Sequence, residues 1–252
     1  MFSRTIIIVI LFVSVVFTNL FAQSNKSNMI DSNYYGYWLN EDYYNALMNG
    51  VTPLEAYKFN KPYIAIIILE EQNKIGFSRY LNEIGFIDFS VTNSLLQFED
   101  RYEKKVFTLP IIDSNKIVLI ENSENITTFR KYPKKYQGKD SSFGGYFPHY
   151  LINDVFFNGE YVTLDSLKNK ITFSLNGEVT GIPEFTTYYV FANYLFNKDY
   201  NSIRFGSPSR KRNLPIFAWE KSGDTLSLFS TEDTLGLNRK KGNVFLKLLK
   251  MN

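Results

Sequence analysis

The chain has 252 residues, 44% of them hydrophobic and 17% aromatic, which is enough apolar mass for one large β domain or two small ones and argues against disorder. Its formal net charge of +3 comes without the large basic excess of a nucleic-acid binder, so no nucleic-acid partner is expected. The absence of cysteine excludes a disulfide scaffold, a thiolate nucleophile, a Cys-ligated zinc and a lipidated N-terminal Cys, and the single His149 excludes sites built on two histidines.

In chain order, Met1 to Arg4 carries one positive charge, Thr5 to Phe17 is almost unbroken apolar sequence, and Asn19 to Gln23 turns polar around the small Ala22. This is the pattern of a secretory signal peptide over residues 1–22. The competing reading is a retained anchor, because Thr5 to Ala22 is about the minimum length for a span. Nothing later approaches that length, so the expectation is an exported protein, periplasmic or extracellular, with no stable membrane span after leader cleavage. Residues 23–33 read as a flexible arm.

Residues 34–132 read as an N-terminal β region with short helices. After Tyr34 to Trp38, Asn40 can cap a helix whose first turn holds Glu41 and Asp42, and Gly50 can end it. Thr52-Pro53-Leu54-Glu55 is a capping box with Pro at the first helical position, starting a second helix that runs to about Lys58. Lys61-Pro62 ends helical structure. Ile64 to Leu69 is continuously apolar, as a strand covered on both faces would be. Strands are then expected at Ile75 to Tyr80, Ile84 to Val91, Leu95 to Glu99, Lys104 to Leu109, Lys116 to Ile120 and Ile126 to Lys131. Turn residues separate them at the spacing of a sandwich or barrel.

Residues 133–148 are polar and glycine-rich and read as a loop or linker. Residues 149–252 read as a C-terminal β region. Tyr150 to Phe157 resumes order, and Asn158-Gly159 turns into Glu160 to Leu164. Asn176-Gly177 joins two alternating runs, Ile171 to Leu175 and Glu178 to Ile182, which predicts a hairpin with a type I′ turn. Leu214 to Glu220 and Thr225 to Ser230 form a late hairpin, and Val244 to Leu249 would close the sheet. Both halves hold an early Tyr or Trp segment, a strand pair, an aromatic run and a closing ladder, which leaves an internal repeat open.

No constellation carries catalysis. His149 lacks a nucleophile-elbow pattern and reads as a structural or surface histidine. The acid pairs Glu70-Glu71, Glu99-Asp100 and Glu232-Asp233 fall at expected turns and read as solvated. Phosphate loops, dinucleotide fingerprints and calcium loops are absent, so no cofactor, metal or catalytic residue is expected. The basic runs Arg210-Lys211-Arg212 and Arg239-Lys240-Lys241 read as solvated loops.

Two stretches carry a resemblance. Gly36-Tyr37-Trp38, ahead of short helices and an antiparallel series, resembles the Gly-x-Trp start of the lipocalins and their calycin relatives. Lys221 to Leu228 resembles the late hairpin of bacterial lipocalin-like domains. The resemblance implies a barrel that holds an apolar small molecule, without catalytic residues.

The expected fold is all-β, an antiparallel lipocalin-like barrel or two small β domains, with short N-terminal helices. The expected function is non-catalytic binding of an apolar or amphiphilic small molecule. The alternatives are an envelope module that binds protein or glycan through exposed aromatics, and a hydrolase with paired carboxylates. With Ser222-Gly223 as the late turn, Lys221 faces Asp224, Trp219 faces Leu226 and Phe217 faces Leu228. That register gathers Phe217, Trp219, Leu226 and Leu228 on one face. These four, with Phe173 and Tyr189, are the expected ligand contacts.

Overall fold

A computed structural model describes residues 32–59, 63–69, 74–80, 83–92, 95–100, 105–120, 126–136, 149–191, 200–207, 214–234 and 238–251. The expected leader, residues 1–22, and most of the expected arm, residues 23–33, lie outside the described residues, as do Glu70, Glu71 and Arg210 to Arg212. Among the described residues no helix is long and apolar enough to cross a membrane. The fold is all-β and consists of two antiparallel sheets.

The N-terminal sheet contains β1 (Gly36–Asn40), β2 (Ala65–Leu69), β3 (Lys74–Tyr80), β4 (Glu83–Asp88), β5 (Ser90–Thr92), β6 (Leu95–Asp100), β7 (Lys105–Asp113), β8 (Lys116–Ile120) and β9 (Ile126–Lys131). Their order is β4-β3-β2-β1-β9-β8-β7-β6-β5. The unbroken apolar run in β2 has a clear cause. Ile66 and Ile68 face one core with Trp38, Phe98 and Phe107, whereas Ala65 and Ile67 face a second core. Both faces are covered, so neither needs polar residues.

The single strand expected over Ile84 to Val91 is instead two strands broken at Phe89. β5 pairs with β6 through Ser90↔Gln97, Val91↔Leu96 and Thr92↔Leu95. Continuing that register would set Asp88 opposite Glu99. Like charges directly opposite are unfavourable, and the ladder stops before them.

Two helices fill the β1–β2 connection. In α1 (Glu41–Met48) the Tyr43 N–H donates to Asn40 Oδ1 at 3.0 Å. In α2 (Pro53–Phe59) the expected capping box forms. The Glu55 N–H donates to Thr52 Oγ1, and the Thr52 hydroxyl and N–H donate to Glu55 Oε2. Tyr43, Leu47, Leu54 and Ala56 pack into the second core, which continues into the C-terminal half. There the Leu54 N–H donates to Asn201 Oδ1 at 3.0 Å.

Within 133–148, Lys134–Tyr136 is one helical turn. The ordered stretch expected over Tyr150 to Phe157 is helical. α3 (His149–Ile152) continues as a π turn over Asn153–Phe157. This stretch lacks strand alternation: Leu151, Ile152, Phe156 and Phe157 are all buried.

The C-terminal sheet contains β10 (Gly159–Thr163), β11 (Lys170–Phe173), β12 (Val179–Thr180), β13 (Thr187–Phe191), β14 (Asn201–Gly206), β15 (Ile216–Ser222), β16 (Thr225–Thr234) and β17 (Asn238–Lys250). Their order is β12-β11-β10-β17-β16-β15-β14-β13. β17 pairs with both β10 and β16, as the closing ladder predicts. The edges β12 and β13 meet through a bridge between Glu178 and Thr187 and a hydrogen bond from the Val179 N–H to the Thr186 carbonyl at 2.9 Å. The result is a nearly closed eight-stranded barrel with each strand beside its sequence neighbours, an up-and-down topology.

Two expected turns differ in detail. The Asn176-Gly177 hairpin forms, but not through a type I′ turn. The Gly177 N–H donates to the Ser174 carbonyl at 3.1 Å, and Gly177 takes φ +83°. This is a type I turn followed by a left-handed residue. It sets Phe173 opposite Val179, both buried, whereas a two-residue loop would have set Val179 opposite Ser174.

The late turn is Gly223-Asp224, because only Gly223 supplies the positive φ that its first position requires. Trp219 therefore faces Leu228, Phe217 faces Ser230 and Lys221 faces Leu226. The shift from the expected register is two residues, an even number, so the same side chains still share a face. The expected Lys221–Asp224 pair does not form across the strands.

Candidate functional site

The barrel gathers most of the expected ligand contacts. Trp219, Leu226, Leu228, Phe173 and Phe217 all lie in one buried core. Tyr189 does not join them. Alternation sends its neighbours Tyr188 and Val190 inward, while Tyr189 is half-buried with its ring 4.2 Å from that of His149.

One end of the barrel is plugged. The end that holds Gly159, the 223–224 turn and the 174–178 loop receives the helical segment His149–Phe157. Phe156 and Phe157 enter the interior and meet the Trp219 ring at 5.4 and 5.0 Å. Phe157 also meets Phe173 and Tyr188. The plug is tied down on all sides. Asn153 Nδ2 donates to the Leu175 carbonyl, Lys221 Nζ donates to the Val155 carbonyl, and the Leu151 N–H donates to Tyr132 Oη. Lys221 thus covers a carbonyl near the C-terminal end of the plug, where a cation is favoured, and partial burial lowers its pKa.

Asp154 fastens the plug to the N-terminal half. It accepts from Tyr136 Oη at 2.7 Å and Lys135 Nζ at 3.1 Å, and also from Asn158. Burial raises its pKa, but these donors outweigh that and the net shift is downward. His149 is buried and its pKa falls to about 3, because desolvation penalises the imidazolium and a hydrogen bond to the Val190 backbone offsets little of that. The neutral ring covers the edge of β13.

The opposite end is aromatic. Phe205 stacks on Phe185 with centroids 5.1 Å apart, Phe217 meets Phe205 at 5.6 Å, and Phe245 meets Phe217 at 4.5 Å. Phe217 is 7% exposed and Phe245 is 46% exposed. The position of Phe245 comes from β17. Two successive register shifts against β16 leave extra residues on β17, one of them Phe245 between the pairs Leu228↔Leu246 and Phe229↔Val244. Bulges re-aim side chains in this way. Sequence reasoning found Phe217 but missed Phe185, Phe205 and Phe245. The available signal was Gly242-Asn243 inside an otherwise continuous strand.

In the β16–β17 register Glu232 pairs with Lys240 and Asp233 with Arg239. Glu99 is exposed on β6. The buried polar residues are Asn40, His149, Asn153, Thr163, Asn201 and Ser202, with no carboxylic acid among the described residues. Nor does any group of three or more metal-binding side chains gather among them.

Gly36 to Trp38 lies on β1 of the N-terminal sheet, outside the barrel, whereas Lys221 to Leu228 is a barrel hairpin. Comparison of the chain with protein-family models, with curated proteins and with solved structures finds no match.

Proposed function

We propose that this is an exported, non-catalytic, lipocalin-like binding protein that takes the apolar part of a small amphiphilic molecule at the aromatic end of its C-terminal barrel. The observation that carries this reading is Phe245, held over Phe217 by a doubly bulged strand and left 46% exposed above a column of buried aromatics. An exposed ring on a wall of rings offers stacking and desolvation to a ligand whose polar part stays in water. Phe156 and Phe157 occupy the interior beneath, so the ligand lies at the mouth and touches Phe217, with Trp219 deeper.

The fluorescent amphiphile 8-anilinonaphthalene-1-sulfonate tests the reading. Wild type should bind it with a blue shift, and Phe245→Ala should weaken binding about tenfold or more, the scale of a lost aromatic contact. Trp219→Phe should keep the affinity but remove most of the ligand-induced tryptophan signal. Unchanged affinity in both Phe245→Ala and Phe217→Ala would refute it.

A further inference from the structure

The N-terminal sheet carries a feature that mouth binding does not use. β4 pairs with β3 alone and β5 pairs with β6 alone. On the side of β4 away from β3, and along β6 beyond Gln97, no described strand pairs. The two edges are joined through Phe89 and β4 lies against β6 near that junction, so they open from it as a wedge. Ile87, Phe89 and Val91 alternate toward the core that holds Leu96, Phe98 and Phe107, yet all three stay only half-buried. Phe86, on the other face of β4, is 45% exposed.

Free strand edges invite another strand, and proteins usually blunt them. Elsewhere in this molecule they are blunted. β13 is bridged to Glu178 and covered by His149, and the free part of β17 is bulged twice and bears exposed Lys240 and Lys241. β4 has no proline, no lysine and no bulge toward the wedge. Continued past its last pair, Ser90↔Gln97, the β5–β6 register would set the exposed Asp88 opposite the exposed Glu99; on its other side Asp88 is opposite Lys74 of β3.

We propose that the wedge between β4 and β6 is a strand-addition site for an extended segment of another protein that carries Lys or Arg between apolar residues. Its backbone would pair with the free edge of β4, its apolar side chains would cover Ile87, Phe89 and Val91, and a cation would lie between Asp88 and Glu99. A second copy of this chain fits poorly, because a strand already built into a sheet cannot enter a wedge whose far wall is β6.

The probe is the capped peptide Val-Lys-Val-Lys-Val, read by anisotropy and by amide hydrogen exchange on the full chain. Wild type should bind it and slow exchange at Gly85 to Ile87. Asp88→Asn and Glu99→Gln should each weaken binding about tenfold, and both variants should stay folded because both positions are exposed. A peptide with alternate backbone nitrogens methylated should not bind, and neither should one with Glu in place of Lys. No binding of the lysine peptide, equal binding of the methylated peptide, or indifference to both charge variants would overturn the proposal. Binding of free lysine as tightly as the peptide would show an ion-pairing site only and would overturn it too.

Discussion

β1 and β10 begin alike. Each starts on a glycine with positive φ, +121° at Gly36 and +136° at Gly159. Each buries an aromatic side chain two residues later, Trp38 or Tyr161, and each pairs that residue with a lysine near the end of the last strand of its own half, Lys131 or Lys250. The glycines have a local reason: each stands at a positive φ that L side chains rarely adopt. If β4 and β5 are counted as one bent strand, both sheets follow the same up-and-down order of eight, with first and last strands paired. The halves differ at the seam. In the C-terminal half the edge strands meet through the Glu178–Thr187 bridge and a plug fills the interior. In the N-terminal half the β5–β6 ladder stops at Ser90↔Gln97, before Asp88 and Glu99 would come opposite. One strand order thus yields a nearly closed barrel or an open-edged sheet, depending on a few residues where the ends meet.

The largest expected effect tests the plug. Phe157 is fully buried among Phe173, Tyr188 and Trp219. Phe157→Ala should cost about 3–5 kcal/mol in denaturant melts, as large-to-small core changes do. Phe89→Ala, at the half-buried seam, should cost about 1 kcal/mol, because much of that ring is already in water. Equal costs would mean that the two seams are sealed alike, and the contrast would fail.

Much of this was legible in the sequence. β8 and β9 lie where alternation put them, and the Thr52 capping box formed because its chemistry is local. The inward face of the β15–β16 hairpin was also readable, since an error of two residues preserves a face. What failed depended on long-range contacts. The break at Phe89 needs Asp88 and Glu99 to be recognised as residues that a continued β5–β6 ladder would oppose. The plug needs Phe156 and Phe157 to be read as interior to a barrel that they precede. The mouth needs two bulges in β17, and Gly242-Asn243 announces an irregularity without telling where Phe245 will point.

A second, pH-dependent test asks whether His149 seals the β13 edge. Folded, the ring takes up a proton only near pH 3; unfolded, it does so near about 6.5. Between these values the unfolded chain binds more protons, so the ring's contribution is fully present above pH 6.5 and is lost as pH falls. The limiting slope is about 1.4 kcal/mol per pH unit. His149→Gln does not titrate there. Stability of wild type minus variant should therefore be flat above pH 7 and decline below 6.5, while losses from Asp154 appear in both and cancel. A difference that stays flat to pH 4 would show an exposed, freely titrating ring.

The smallest effect concerns the joint between the halves. The N-terminus of α2 is satisfied from two sources. Thr52 and Glu55 cap each other locally, and the Leu54 N–H is held by Asn201, which opens β14 in the other sheet. Thr52 is only partly buried, so water can replace its hydroxyl, and Thr52→Ala should cost about 0.5–2 kcal/mol, the usual range for a lost cap. Asn201 is buried. Asn201→Ala strands the Leu54 N–H without water and should cost about 1–3 kcal/mol. The two changes act on neighbouring amides of one helical turn, so they should not add. Fraying by Thr52→Ala already releases part of what Asn201 holds, and the double variant should fall short of the sum by about 0.5 kcal/mol or more. Strict additivity in the double-mutant cycle would mean that α2 is held by its own half alone, and that the continuous core beneath it does not couple the two sheets.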